Sequence, residues 1–171
     1  MITLVHTGLQ VPHTRIRVTH VDQLDTPHGI AWTARLCEDA TLLGTITNAG
    51  NGGPTEFTPT SAHAGHVVAE FTAACRSRDG HLVDAETVLD ALDGEYEYAA
   101  LVAQADAERT YLVRGFDASG IPQVFELQAR PEVPFDYALA RASAPHLALG
   151  PRIVRAELWM GDRWEEFYRS R

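Results

Sequence analysis

Gly29-Ile30-Ala31-Trp32-Thr33-Ala34-Arg35-Leu36-Cys37 and, after Glu38-Asp39-Ala40, Thr41-Leu42-Leu43-Gly44-Thr45-Ile46-Thr47 decide the fold class. In the first run Ile30, Trp32, Ala34 and Leu36 fall on one face, with Thr33 and Arg35 on the other. That period of two is the mark of a half-buried strand. The second run follows after a three-residue turn, so the two form a hairpin. Upstream, Arg15-Ile16-Arg17-Val18-Thr19-His20 alternates in the same way, and Asp25-Thr26-Pro27-His28-Gly29 carries turn chemistry. Residues 1–13 have weak periodicity and contain Pro12, and read as a loosely held arm or a short edge strand.

Downstream, Asn48-Ala49-Gly50-Asn51-Gly52-Gly53-Pro54 holds three glycines, too many for regular structure, and is a shaped loop. Glu56-Phe57-Thr58 is a short strand. Pro59-Thr60-Ser61 announces a helix capped by Thr60 or Ser61, with Val67, Val68, Phe71, Ala74 and Cys75 as its apolar stripe and Asp79-Gly80 as its end. A second helical region starts near Asp84, with Ala85, Leu89, Leu92, Tyr96, Ala99 and Ala103 on one face. Gly94, which costs ~1 kcal/mol against Ala inside a helix, leaves it as one helix or two. Tyr111–Phe116 and Gln123–Ala129 pair around Asp117-Ala118-Ser119-Gly120. Residues 130–151, with four prolines, read as irregular with one helical turn near Tyr137-Ala138-Leu139. Strands at Ile153–Met160 and Trp164–Tyr168 close the chain around Gly161-Asp162. Strands, two helical regions, then strands predict an α+β fold: a largely antiparallel sheet of hairpins with the two helical regions on one face, in a single domain over 1–171.

The composition is that of an ordinary globular chain: 171 residues, 45% hydrophobic and 22% charged. No apolar run approaches the ~18–20 residues of a membrane span. The N-terminus lacks the basic and apolar regions of a signal peptide, so the expected location is the cytoplasm. Cys37 and Cys75 fall in different elements and are expected as buried free thiols. All 14 basic residues are arginine, the bias of a GC-rich genome such as that of an actinobacterium or its phage. A net charge of −9 disfavours binding to duplex nucleic acid, whose phosphates repel it.

Two readings of the glycine loop stay open: a turn that carries the chain to the first helix, or a nest of N–H groups around an anion. The Walker pattern is absent, since Pro54-Thr55 follows the last glycine, and no Gly-x-Gly-x-x-Gly occurs. The segment Gly29-Ile30-Ala31-Trp32-Thr33-Ala34, Asp39, and Leu43 to Gly53 resembles a widespread set of small bacterial and phage proteins. Their shared stretch reads approximately "dGk-xx-Gtv-sNdGrGG", followed by an aromatic residue whose place Phe57 takes. Ala49 stands where that set carries an acidic residue. The resemblance covers residues 29–57 and implies a phage- or plasmid-borne origin and a local loop shape rather than an activity.

His63 and His66, with Glu70, share one face of the first helix, where two nitrogens and an oxygen could meet a ligand. No His-Glu-x-x-His pattern and no fourth ligand accompany them, so no metal and no cofactor is assigned. Neither cysteine has a base nearby in sequence, and no Gly-x-Ser-x-Gly elbow occurs, so no catalytic residue is assigned.

The charge map is the strongest functional signal. Asp84, Glu86, Asp90, Asp93, Glu95, Glu97, Asp106 and Glu108 fall in one arginine-free span. Within it Glu86, Asp90, Asp93 and Glu97 recur at helical spacing, where each like-charge pair costs ~0.2–0.5 kcal/mol. The first expectation is therefore a non-catalytic accessory factor of phage or plasmid type, with inhibitor or immunity-like action. It would dock these four carboxylates, solvent-exposed and free of arginine partners, on a basic protein. The alternative is a small-molecule or nucleotide-binding protein using Asn48, Gly50, Asn51, Gly52 and Gly53 with His63 and His66. If the carboxylates were neutralised inside the fold, Arg109, Arg114, Arg130 and Arg141 are the arginines expected to do it.

Overall fold

Alternation along the chain puts apolar side chains on one side of each hairpin, and those sides must be covered. The computed structural model describes residues 1–120, 122–129 and 131–170. The fold is α+β with antiparallel sheets, as the hairpin pattern predicts, but the hairpins are shared between two four-stranded sheets. The chain divides into two compact units, Met1–Tyr98 and Ala99–Arg171.

In the first unit, β1 (Ile2–Thr3) pairs with β2 (Gln10–Val11). The main sheet runs β3 (Ile16–Thr26), β4 (Gly29–Glu38), β5 (Thr41–Asn48) and β6 (Glu56–Pro59), in that order and antiparallel throughout. Ala34 and Leu36 are buried on its inner face while Thr33 and Arg35 are exposed, which is the register read from the sequence. Against that face pack α1 (Ala62–Ala74) and the first half of α2 (Ala85–Glu108). Val18, Leu36 and Ile46 of the sheet share one core with Val68 and Phe71 of α1 and with Val88, Leu89 and Leu92 of α2. Ser61 caps α1 by accepting from the Ala64 N–H at 3.1 Å.

Three sequence expectations need correcting here. Of the two readings of residues 1–13, the short strand holds, as β1 and β2, and the loose arm does not: Leu9 and Val11 are in the core, and the Glu95 carboxylate accepts from the N–H groups of His6 and Thr7 at 2.9–3.2 Å. α1 stops at Ala74, before Asp79-Gly80, because Gln10 and Arg76 exchange backbone hydrogen bonds that pull the chain into an extended path. α2 is one helix through Gly94. Its buried stripe is Val88, Leu89 and Leu92, then Val102 and Ala105, whereas Ala85, Ala99 and Ala103 are exposed. In the second half of the helix Val102, the larger apolar side chain, faces Leu112 and Trp159, and Ala105 three residues on shares its face, which leaves Ala99 and Ala103 outside.

In the second unit, β7 (Thr110–Phe116), β8 (Pro122–Gln128), β9 (Arg155–Trp159) and β10 (Trp164–Arg169) form a sheet in the order β10-β9-β7-β8. Leu112 and Trp159 meet Val102 and Ala105 of α2. On the other side Tyr111, Val113 and Leu158 meet the segment that contains α3 (Tyr137–Ser143) and a 3₁₀ turn at Ala144–His146. The Tyr111 hydroxyl accepts from the Asp136 N–H at 2.7 Å, and Asp136 caps α3. Trp159 and Trp164 pair across the final hairpin at 5.3 Å. The cross-strand pair Arg114–Glu157, 2.6 Å apart, is buried in this sheet.

Candidate functional site

The loop between β5 and β6 is built by its asparagines and glycines together. Asn48 Oδ1 accepts from the Gly50 N–H at 2.8 Å, and Asn51 Oδ1 accepts from the Gly53 N–H at 3.0 Å. These are Asx turns, in which a side chain replaces a backbone acceptor. Gly50 and Gly52 have φ of 67° and 80°, the left-handed region that glycine enters without penalty. Gly50 also lies against the start of β4: a Cβ there would stand 2.4 Å from the Ile30 carbonyl carbon. Two of the N–H groups that an anion nest would need are thus spent on asparagine oxygens.

On the outer face of the sheet, beside this loop, lies a cleft of about 540 Å³. The strand register places Asp22, Thr33, Thr47 and Glu56 in one row across all four strands, and that row lines the cleft. Asn51, Gly53 and Pro54 of the loop border it. Trp32 also borders it, although strand alternation turns its side chain inward, where it packs against the core. Asp22 and Glu56 are exposed, and His20 Nε2 lies 3.2 Å from Asp22 Oδ2.

Of the ligand residues expected from sequence, Asn48, Asn51 and Gly53 line this cleft, and Gly50 and Gly52 shape the loop. His63 and His66 do not belong with them. Both are exposed on α1, outside the cleft lining, and His66 instead approaches Glu70 at 3.2 Å. Among the described residues no group of three or more His, Cys, Asp or Glu is placed to hold a metal ion. Cys37 and Cys75 are free and buried, and burial pushes the Cys75 thiol up to about 11.

The acidic span of α2 departs furthest from expectation. Asp93 is not solvent-exposed: it is 6% accessible, and its Oδ1 has no hydrogen-bond partner. Burial, then the charges of Glu97 and Asp90, push its carboxyl up to about 7. The neighbouring carboxylates accept hydrogen bonds from neutral donors. Glu86 accepts from the Thr55 N–H at 3.0 Å, and Asp90 from the Thr55 hydroxyl at 2.6 Å. Glu97 accepts from the Gln23 amide. Along the rest of the helix, Asp84 caps its first turn through the Thr87 N–H, Asp106 accepts from the Tyr137 hydroxyl at 2.6 Å, and Glu108 accepts from Gln104.

The expected arginines are engaged elsewhere. Arg114 bonds Glu157, Arg141 bonds Glu165, and Arg109 lies over Phe135, while Arg130 is outside the described residues. Glu86, Asp90, Asp93 and Glu97 make no ion pair among the described residues. Gln23, Trp32 and Asn48 are opposite one another in the register, and Asn48 Nδ2 donates to the Thr55 hydroxyl at 2.9 Å. The row Glu86-Asp90-Asp93-Glu97 therefore forms a polar seam with the inner face of the sheet, next to the strand residues that carry the cleft on the other face. Sequence reasoning missed Gln23 and Thr55, because their role depends on which end of the sheet the helix crosses.

No protein-family model, no curated protein and no solved structure matches this chain. No helix among the described residues is long and apolar enough to cross a membrane.

Proposed function

We propose that the first unit is a non-covalent binding module whose cleft takes a small organic cation, an amine or guanidine on a polar body. One observation carries this reading: the charged residues that line the 540 Å³ cleft are Asp22 and Glu56, with no arginine among the described lining residues. Volumes of ~300–1,000 Å³ suit small ligands. The Thr33 and Thr47 side chains and the loop supply polar contacts between the two carboxylates. A phosphate-bearing ligand such as a nucleotide fits poorly, because the same carboxylates repel it and the Gly50 and Gly53 N–H groups are already bonded.

The test is an amide chemical-shift titration of the ¹⁵N-labelled chain with spermidine, arginine, glucose and ATP. Spermidine or arginine is expected to shift Thr33, Thr47 and Gly53 saturably, and D22N with E56Q is expected to weaken that binding by about tenfold, ~1.4 kcal/mol. Equal response to glucose or ATP, or no response to any amine, would overturn it.

A second reading, docking of a phage- or plasmid-type accessory factor on a basic protein, retains one observation: Glu86 and Asp90 are exposed and carry no arginine. It predicts association that slows with salt and with E86Q/D90N.

A further inference from the structure

Asp93 is the one carboxyl of the seam that is both enclosed and left with an unpartnered oxygen. It stands between Asp90 and Glu97, three residues before and four after, on the same helical face. Each of those neighbours holds a different border of the cleft. Asp90 holds the Thr55 hydroxyl, which is bonded to Asn48 at the root of the loop. Glu97 holds Gln23 on β3. Both Asn48 and Gln23 line the cleft. A proton on Asp93 thus sits midway between the two attachments.

We propose that Asp93 is a proton-operated latch for the cleft, closed when its carboxyl is neutral and released when it ionises. This inference rests on the ligand reading of the cleft given above. With Asp93 neutral, the charges of the row are Glu86, Asp90 and Glu97, and each is seated on its donor. Ionised Asp93 adds a fourth like charge to the row, in an enclosed site without a counter-ion. The helix face must then draw away or admit water, and the bonds at Thr55 and Gln23 loosen together. Burial and the two carboxylates place this event at about 7.

Other titratable groups lie on the elements bonded to this stretch. They are His6 of the N-terminal segment with Glu95, Arg17, His20, Asp22 and Asp25 on β3, Glu56 after Thr55, and Glu86 on α2. Arg17, the arginine of this set, is exposed, stands six residues along β3 from Gln23 and makes no ion pair with Asp93. The His20–Asp22 pair is the same in wild type and D93N, so comparing the two removes its effect.

The experiment is a pH titration of the ¹⁵N-labelled chain from 5.5 to 8.5, following the Gly50, Gly53 and Thr55 amides, in wild type, D93N and D90N. Asn at 93 mimics the neutral acid. Asn at 90 keeps an oxygen for Thr55 but removes one like charge. Wild type is expected to show a common midpoint near 7 at all three amides, D93N no such step, and D90N a step at lower pH. Spermidine affinity, measured in parallel, is expected to fall severalfold between pH 6 and 8 in wild type relative to D93N. Loop amides that ignore pH, or that titrate identically in wild type and D93N, would overturn the latch. Should D93N fail to fold, an unshifted midpoint in D90N would overturn it equally. A loop step that D93N abolishes, without any amine binding, would leave the latch standing and overturn only the cationic-ligand reading.

Discussion

Gly50 and Gly52 lie two residues apart with similar positive φ, yet their surroundings differ. A Cβ on Gly50 would meet the Ile30 carbonyl carbon and oxygen at 2.4 and 2.5 Å, whereas a Cβ on Gly52 would meet nothing within 4 Å. Gly52→Ala therefore carries only the backbone penalty, ~1–2 kcal/mol. Gly50→Ala carries that penalty and must also displace a strand, so its cost is expected to reach ~3 kcal/mol or more. Chemical denaturation of the two variants checks the ranking, and equal costs would mean that the loop does not rest on β4. That a positive φ was needed in this loop was legible from three glycines in seven residues. Which glycine is pressed against backbone was not, because the contact is with Ile30, far away in sequence. The same limit explains the histidines: His63 and His66 share a helix face by spacing alone, and only the fold shows that neither lines the cleft.

At the scale of the element, α2 shows how a charge pattern can mislead. Carboxylates at 86, 90, 93 and 97 opposite Leu89 and Leu92 have the look of a solvated face. The face is instead met by Thr55 and Gln23, neutral donors that a charge map does not register. The enclosed member sets a pH dependence whose sign can be worked out. Asp93 releases its proton in the unfolded chain near 3.8 and in the folded chain near 7. Between those values the folded state holds the extra proton, so this group's contribution to stability is full below about 3.8, declines as pH rises, and levels off above about 7. Asp93→Asn removes that decline. The variant is expected to gain thermal stability over wild type at pH 8 and to keep only a minor part of that advantage at pH 5, as read by melting curves at the two values. A difference independent of pH would contradict an enclosed acid at 93. The β4 register was legible because alternation is local, whereas β3 runs on to Thr26, six residues past the strand read at Arg15–His20, after a bulge between Val18 and His20 breaks its alternation. The helix stripe departs from expectation at Ala99 and Ala103, because the contacts of Val102 with Leu112 and Trp159 choose a different face.

Over the whole molecule, the α+β class and the antiparallel sheets followed from hairpin signals, while the grouping into two compact units did not. Its division falls at Tyr98–Ala99, inside a continuous helix, where no proline, glycine or charge run marks it. The net charge of −9 was legible too, but its placement required the fold. Carboxylates from Asp84 to Glu108 are distributed over caps, Thr55, Gln23, the N-terminal segment and Tyr137, and the arginines serve strand pairs and aromatic rings. The acidic row of α2 is a seam bonded to Thr55 and Gln23, open at Glu86 and Asp90 and enclosed at Asp93, whose carboxyl burial holds well above its usual range. A ¹³C carboxyl titration of Asp90, Asp93 and Glu97 tests it most directly: Asp93 is predicted to titrate near 7. A midpoint for Asp93 near the ordinary 3.8 would place it in solvent and contradict the account.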